Sequence, residues 1–188
     1  FCIYMLARGG MFCIPDASID STARKISHYG IQTMVASSLT LAEIWAASHA
    51  GSLRLNSLQL VLTAGSPLSA ALADRVRDLV CSRIVNIYGS TEAGVVATAP
   101  VEMLDLRKGQ AGFVVPGMHV EIVGRDQGVG RLRIRSTANA LEYIGGERGG
   151  AASFEGDWFY PGDIGSLSAD GLLSVLGREN NLINIGGY

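Results

Sequence analysis

Apolar runs alternate with amphipathic segments along residues 1–100, and Gly, Pro or Ser marks most of the changes. Short continuous apolar runs are typical of buried strands, whereas apolar residues at intervals of three and four positions are typical of helices. The alternation predicts strands at 11–14, 31–36, 58–63 and 84–88, and helices at 18–29, 38–50 and 69–80. Because strands that alternate with helices favour a mostly parallel sheet with flanking helices, the predicted fold class is α/β.

The pattern changes beyond about residue 100, where shorter runs with a period of two are separated by Gly. Such runs predict antiparallel hairpins. One hairpin is predicted from strands 118–123 and 132–134, and a second from strands 164–167 and 172–176 around Asp170-Gly171. The segments 109–112 and 116–117 are predicted to be connectors. The predicted organisation is an α/β unit over residues 1–100 followed by a small antiparallel β subdomain over 101–176.

Composition and charge exclude several classes of partner. Hydrophobic residues make up 48% of the 188 residues, charged residues make up 17%, and the net charge is −2. Because acidic and basic residues are interspersed, no basic face is expected for nucleic acid and no polybasic segment for anionic lipid. No apolar run approaches the roughly 20 residues that would span a bilayer. A soluble protein without nucleic-acid or membrane partners is therefore predicted.

The cysteines and the chain ends add two expectations. Cys2, Cys13 and Cys81 are an odd set without CxxC or Cys/His spacing, so neither a zinc site nor a disulfide framework is predicted. This cysteine usage favours a reducing, cytoplasmic location. The sequence starts at Phe1 and ends at Tyr188 directly after a patterned segment. We therefore expect it to be a piece of a longer chain.

The heptapeptide 86–92, Asn-Ile-Tyr-Gly-Ser-Thr-Glu, holds the densest candidate chemistry. It follows an apolar run and therefore lies at the end of a predicted strand, where α/β proteins place their ligand sites. Its aromatic ring could stack on a base, its hydroxyls could donate to an oxyanion, and Glu92 could hold Mg²⁺ together with substrate oxygens. An ordinary strand exit, with Glu92 interacting with a helix dipole, is the alternative.

Two further segments are candidates for the same pocket. The turn at Gly65-Ser66 follows the preceding predicted strand, and parallel strands end at the same edge of a sheet. Asp163, after Tyr160-Pro161-Gly162, could accept two hydroxyl hydrogen bonds from a ribose, although an Asx turn that starts a strand is the simpler alternative. Arg178 could donate to phosphate or ribose oxygens, or form a surface ion pair. No GxxxxGK[ST] segment occurs, which excludes a self-sufficient P-loop NTPase.

Taken in order, these motifs resemble those of the AMP-forming acyl-CoA synthetases and related adenylating enzymes. The resemblance covers nearly the whole chain. Each motif is modest by itself, and the specificity comes from their order. The matching segments are Ala64-Gly-Ser-Pro-Leu68, Asn86 to Glu92, Gly109-Gln-Ala-Gly112 with Pro116-Gly117, Tyr160-Pro-Gly-Asp163, Asp170-Gly171, and Gly177-Arg178 through Gly187.

The resemblance implies a two-step reaction in which a carboxylate and ATP give an acyl adenylate, whose acyl group then passes to a thiol, usually that of coenzyme A. Carried over by position, Tyr88 would stack on adenine and Asp163 would bind the ribose hydroxyls. Thr91 would contact the α-phosphate, Glu92 would bind magnesium, and Arg178 would reach ribose or phosphate. The implied nucleotide-binding set is Gly65, Ser66, Pro67, Asn86, Ile87, Tyr88, Gly89, Thr91, Asp163 and Arg178, with Thr91, Glu92 and Arg178 as the implied catalytic residues.

The sequence departs from the family pattern at two positions. Asn180 stands where an Asp or Lys is usual at the hinge to a C-terminal lid, so the usual hinge chemistry is in question. Arg131 replaces a commonly acidic residue, where we expect a structural difference and no catalytic one. Residues 177–188 would begin the hinge. The family's phosphate-gripping loop with its Lys is expected before Phe1, and the lid with its Lys after Tyr188.

The implied function is that of a fragment of an ATP-dependent carboxylate-activating ligase, with ATP or AMP and Mg²⁺ as ligands and coenzyme A as co-substrate. By itself the fragment is predicted to be inactive. Two alternatives stay open. One is an adenylation domain that loads the thiol of a carrier protein, and the other is a non-catalytic adenylate-binding remnant. The identity of the carboxylate cannot be predicted, because half of the expected acyl pocket lies outside the sequence.

Overall fold

The computed structural model describes residues 6–16, 18–51, 55–143 and 153–179. Three α-helices lie in these ranges: α1 (Ile19–Tyr29), α2 (Ser38–His49) and α3 (Ala70–Leu79). Short 3-10 helices occupy Val101–Met103 and Leu106–Lys108. The strands are β1 (Thr33–Ala36), β2 (Leu60–Thr63), β3 (Ile84–Ser90), β4 (Gly94–Pro100), β5 (Gln110–Val114), β6 (His119–Asp126), β7 (Val129–Arg135), β8 (Ser153–Glu155), β9 (Trp158–Tyr160), β10 (Asp163–Leu167) and β11 (Leu172–Arg178).

The three helices begin at serine caps. The side chains of Ser18, Ser37 and Ser69 each accept a hydrogen bond from a backbone N–H of the first helical turn. Such a bond satisfies one of the amide groups that a helix start leaves without a partner, and typically contributes about 1 kcal/mol. Helix α1 ends at Gly30, which is left-handed with φ 60°. The predicted helices are confirmed to within about one residue.

The described strands form one mixed sheet of 11 strands, in the order β1-β2-β3-β4-β5-β11-β10-β7-β9-β8, with β6 beside β7. The pairs β1–β2 and β2–β3 are parallel, and the later pairs are antiparallel. Both predicted hairpins, β6–β7 and β10–β11, are present. The α/β class is confirmed, with the parallel pairing concentrated in β1 to β3.

Two cores lie along this sheet. The first joins β1 to β3 with the helices, and its most buried members are Leu41, Ile44, Val61, Val76 and Ile84. The second lies in the antiparallel part, and its largest fully buried side chains are Val96, Leu132, Ile134, Phe159 and Leu173. Burial of each such side chain typically contributes about 1.5–3 kcal/mol, so the cores hold the strands in register. The division of the chain near residue 100 stays a prediction.

The strands differ from the prediction in several places. Residues 11–14 form no strand, and Met11 and Ile14 are 53% and 70% exposed, because no described neighbour pairs with or covers this apolar run. Strand β4 was not predicted, and 109–112 is no mere connector, since β5 begins at Gln110. Strands β8 and β9 have only three residues each and give little periodic signal.

The end of β3 also differs from the prediction. The strand was expected to end at Tyr88 in a glycine turn, but it continues to Ser90 and pairs with β4. Gly89 lies inside the strand at a bulge, where a Cβ atom would lie 2.1 Å from the carbonyl oxygen of Gly94. Glycine is required there because two backbones approach closely, and the turn follows at 91–93.

Candidate active site

Asp163 is the centre of a hydrogen-bonded cluster formed by three strands. The hydroxyl of Tyr88 on β3 donates to Oδ2 of Asp163 at 2.6 Å, across 75 positions of sequence. Nε of Arg178 on β11 donates to Oδ1 of the same carboxylate at 3.1 Å. Asp163 is 6% exposed, whereas the Arg178 side chain is 68% exposed. The cluster therefore runs from the interior of the sheet to its surface.

The strand register explains how Asp163 and Arg178 meet. Asp163 is the first residue of β10 and pairs directly with Arg178, the last residue of β11. Gly162 before it is left-handed, with φ 78°, and its carbonyl accepts a hydrogen bond from the N–H of Glu179 at 2.8 Å. The predicted Pro-Gly turn thus places the Asp163 carboxylate at the start of β10, and its hydrogen bond also fixes the backbone of Glu179.

Burial and charge both act on Tyr88. Burial raises the pKa of its hydroxyl well above the ordinary value of 10.0, and the negative charge of Asp163 raises it further. The hydroxyl is therefore protonated at neutral pH and can act as a donor to the carboxylate. Each carboxylate oxygen offers two lone pairs, so Asp163 keeps acceptor capacity beyond its bonds to Tyr88 and Arg178.

Glu92 lies in the turn between β3 and β4, in a half-buried position. The turn is held by Ser90, whose hydroxyl accepts a hydrogen bond from the N–H of Ala93 at 3.2 Å. Burial raises the pKa of the Glu92 carboxyl, but hydrogen bonds from its own backbone, Tyr143 and Ser90 outweigh burial and leave the pKa below its ordinary value. Arg178 lowers it further through its charge. Glu92 is therefore ionised at neutral pH.

Tyr143 is the site residue that sequence reasoning missed. Its hydroxyl donates to Oε1 of Glu92 at 2.8 Å, across 51 positions of sequence. No spacing rule connects residues so far apart, and Tyr143 lies outside the quoted motifs. The pKa of its hydroxyl is raised by burial and by the bond to Glu92. Only the fold brings the two side chains together.

The turn after β2 is anchored to α2. Gly65 is left-handed, with φ 84°, and the hydroxyl of Ser66 accepts a hydrogen bond from the N–H of Ser38 at 3.2 Å. The two serine hydroxyls are also 2.7 Å apart. Ser66 is therefore held by the start of a helix, while Gly65 and Pro67 are exposed. These contacts fix the shape of the turn next to β3.

The remaining predicted residues lie along the same strand end. Nδ2 of Asn86 donates to the carbonyl of Ala111 at 2.7 Å, which joins β3 to β5. Ile87 is half-buried and pairs with Thr98 of β4, and Thr91 is exposed in the turn. The charge of Arg178 acts on both Tyr88 and Glu92. The structure thus brings Tyr88, Glu92, Asp163 and Arg178 into one electrostatic cluster, with Asn86 on the same strand as Tyr88 and the 65–67 turn after the neighbouring strand β2.

Two negative findings apply to the part of the chain that the structure describes. No group of three or more His, Cys, Asp or Glu side chains there could hold a metal ion. Glu92 is the residue predicted to hold Mg²⁺, an ion that usually takes most of its ligands from substrate oxygens and water. Within the same ranges, no helix has the length and apolar character needed to cross a membrane.

Comparison with known proteins settles the family. Residues 1–144 match the profile of the family described as AMP-binding enzyme. The chain belongs to that family. Over 139 residues it is 30% identical to the probable CoA ligase CCL8 of Humulus lupulus, an alignment that covers 70% of this chain and 23% of that protein. The chain thus spans about a quarter of the length of that relative.

Solved structures confirm the fold over nearly the whole chain. The anthranilate CoA ligase AuaEII, solved in complex with anthranoyl-AMP, superposes with a TM-score of 0.78 at 25% identity, covering 95% of this chain and 36% of that one. The O-succinylbenzoate coenzyme A synthetase MenE of Bacillus subtilis, in complex with ATP and a magnesium ion, gives a TM-score of 0.73 at 24% identity, covering 91% and 36%. The predicted family and fold are therefore confirmed.

Proposed function

We propose that this chain supplies the adenylate-binding part of an ATP-dependent, AMP-forming acid–thiol ligase. In the first step, a carboxylate oxygen attacks the α-phosphorus of ATP and pyrophosphate leaves. In the second step, a thiol sulfur attacks the acyl carbon and AMP leaves. The observation that supports this proposal most directly is the buried Asp163 carboxylate, held by Tyr88 and Arg178 at the strand ends. Relatives that are CoA ligases support coenzyme A as the thiol.

The ribose is assigned to Asp163. A carboxylate accepts hydrogen bonds from both hydroxyls of a vicinal diol, and this carboxylate keeps lone pairs beyond its two protein donors. Because those donors come from β3 and β11, the acceptor is oriented before the nucleotide binds. We place the adenine against Tyr88, with Asn86, Ile87, Gly89 and the 65–67 turn around it.

The phosphates are assigned to the exposed end of the cluster. Arg178 is 68% exposed and offers a forked donor that suits phosphate oxygens, and the Thr91 hydroxyl lies in the turn beside Glu92. Glu92 is the proposed ligand of Mg²⁺, since its lowered pKa keeps it ionised at neutral pH. Magnesium, when bound, would neutralise phosphate charge. The chain's own part is to position these groups and to complement the charge that develops at the α-phosphate.

Substitution of Asp163 in the full-length protein tests the ribose assignment. We expect Asp163→Ala and Asp163→Asn to raise the KM for ATP at least about tenfold, because hydrogen bonds to a charged acceptor are worth roughly 1.5–3 kcal/mol. The measurement is pyrophosphate release at varied ATP with the same carboxylate. Asp157→Asn is the matched control, since Asp157 is exposed in the turn between β8 and β9. An unchanged KM in both Asp163 variants would contradict the assignment.

The choice of thiol separates the proposed enzyme from its alternatives. A carboxylate panel assayed by pyrophosphate release should identify an accepted acid, and added coenzyme A should then convert the adenylate into a free thioester. Transfer only to a carrier protein would instead favour an adenylation domain. ATP binding without pyrophosphate release for any acid would favour a non-catalytic remnant.

We also propose how this chain contributes within a longer protein. Residues 1–100 and 101–176 would be the two subdomains that form the adenylate site, and 177–188 would begin the hinge, whose Asn180 lies outside the described residues. The 188 residues alone would be inactive if, as we propose, the phosphate-gripping loop and the lid belong to other segments of that longer protein. Acyl-CoA formation by the purified 188-residue piece would contradict this. The proposed location is the cytoplasm.

A further inference from the structure

Glu92 is held by two hydrogen bonds from a single segment, the residues that follow β7. The hydroxyl of Tyr143 donates to its carboxylate at 2.8 Å. The N–H of Ala140 donates to its backbone carbonyl at 2.7 Å. One segment therefore fixes both the main chain and the side chain of the residue, although Glu92 itself lies in a short turn between two strands.

The segment that provides these bonds is itself fixed at its start. Nδ2 of Asn139 donates to the carbonyl of Ile134 at 3.0 Å, and the hydroxyl of Ser136 donates to Oδ1 of Asn139 at 2.8 Å. The N–H of Ala138 donates back to the Ser136 hydroxyl at 3.2 Å. These bonds close a compact turn directly after β7, whose Ile134 is 1% exposed and belongs to the second core. Ala140 is thereby positioned relative to a rigid strand.

The ring of Tyr143 is anchored separately. It lies edge to face on Phe154 of β8, with ring centroids 5.3 Å apart. Phe154 in turn lies 5.0 Å from Phe159, which is 1% exposed in the second core. The hydroxyl of Tyr143 is thus the outer end of an aromatic chain that starts in the core, so it presents a donor in a fixed place.

The fixed Tyr143 hydroxyl is relevant because Mg²⁺ needs ligands that are held in a defined geometry. This ion demands a near-ideal octahedral arrangement of its ligands, so a carboxylate that rotates freely binds it poorly. A free glutamate also loses about 1.5–2 kcal/mol of conformational entropy when it is ordered, and a pre-formed hydrogen bond reduces that loss on binding. Groups that orient a metal ligand in this way typically change affinity or activity by about 10- to 100-fold when they are removed.

We propose that Tyr143 is a positioning residue that orients the Glu92 carboxylate for a divalent cation bound together with ATP. The inference rests on the proposed function, since it needs ATP at the neighbouring cluster. It predicts that the Tyr143 hydroxyl affects the cation requirement and leaves ribose recognition by Asp163 unchanged.

The decisive variant is Tyr143→Phe in the full-length protein, which keeps the ring on Phe154 and removes only the hydroxyl. We expect the Mg²⁺ concentration for half-maximal pyrophosphate release to rise about tenfold, with kcat at saturating Mg²⁺ within about twofold of wild type. Binding of Mn²⁺ with ATP, followed by electron paramagnetic resonance without turnover, should weaken by the same factor. Tyr29→Phe is the control, because Tyr29 is 51% exposed on α1.

Two further variants, Glu92→Gln and the double variant Tyr143→Phe/Glu92→Gln, complete a double-mutant cycle. If Tyr143 acts through Glu92, the double variant should bind Mn²⁺ no more weakly than Glu92→Gln alone, whereas independent effects would multiply. Unchanged Mn²⁺ affinity in Tyr143→Phe, with weakened affinity in Glu92→Gln, would overturn the inference and leave the proposed function intact. A uniform fall in kcat at all Mg²⁺ concentrations would also overturn it. If the wild-type protein bound no Mn²⁺ with ATP, both proposals would fail.

Discussion

The two carboxylates of the candidate site are held in different ways. Asp163 is buried, and its partners Tyr88 and Arg178 come from strands whose register places them there. Glu92 lies half-buried in a turn, and its partner Tyr143 comes from a segment after β7. The position of Asp163 is therefore coupled to the stability of the sheet, whereas that of Glu92 depends on local tethers. A buried acceptor can contribute both to folding and to ligand binding, while a half-buried acceptor held by local hydrogen bonds can be changed with less effect on folding.

The largest effect should come from breaking the register that pairs Asp163 with Arg178. A Cβ at Gly165 of β10 would lie 2.0 Å from the carbonyl oxygen of Ser174, whereas a Cβ at Gly177 of β11 would meet nothing within 4 Å. We expect Gly165→Ala to lower the free energy of unfolding by about 3 kcal/mol, because backbone must shift to admit the methyl group. Urea unfolding with Gly177→Ala as control checks this. Equal effects of the two substitutions would contradict the strand-based account of Asp163.

The next largest effect on stability is expected when either carboxylate is replaced by alanine. Asp163→Ala leaves the hydroxyl of the half-buried Tyr88 without its acceptor, which should lower the free energy of unfolding by about 2 kcal/mol. Glu92→Ala, at the half-buried turn, should lower it by less than about 1 kcal/mol. Adding Tyr88→Phe to Asp163→Ala should recover part of this loss of stability, because it removes the hydroxyl donor that no longer has an acceptor. Similar losses at both carboxylates in denaturant unfolding would remove the distinction between them.

A smaller effect on stability is expected from the ionisation of Tyr88 at alkaline pH. The pKa of Tyr88 is higher in the folded than in the unfolded protein, so above pH 10 the unfolded chain releases this proton and the folded chain retains it. Stability is therefore unaffected by this group below pH 10 and falls as pH rises above it, by at most about 1.4 kcal/mol per pH unit. Unfolding curves of wild type and Tyr88→Phe between pH 9 and 11 should diverge in slope. Parallel curves would show that Tyr88 is not buried against Asp163.

The smallest effect is expected at Arg131, on the surface beside the cluster. Its Nε lies 3.2 Å from Oε2 of Glu179, and its guanidinium lies 5.4 Å from the ring centroid of Tyr160. Because both charged side chains are substantially exposed, Arg131→Gln should change stability by less than about 1 kcal/mol, and less at high salt. The KM for ATP should not change. An altered KM would mean that the replacement of the family's usual acidic residue is more than structural.

Local signals account for the parts of the fold that could be predicted. Apolar residues at intervals of three and four positions predicted the helices to within about a residue, and Asp170-Gly171 predicted the β10–β11 hairpin. Strand β4 was not predicted because the residues Gly94 to Pro100 show no alternation of apolar and polar side chains with a period of two. The strand predicted at 11–14 is absent because an apolar run forms a strand only where another strand can pair with it. The candidate site was predicted as an ordered set of motifs. Tyr143 belonged to no such motif, and no alternation of residues could have connected it to Glu92.

The sequence by itself determined the helix boundaries and the two hairpins, because these depend on apolar spacing and turn residues that are close together along the chain. It also determined the α/β class and the family resemblance, because these depend on the order of elements and motifs along the chain. The tertiary structure alone decided that Tyr88 and Arg178 share Asp163, and that Tyr143 tethers Glu92. Those contacts join residues separated by up to 75 positions. They form only when the register of a mixed sheet is set by burial of two cores, which no local pattern specifies.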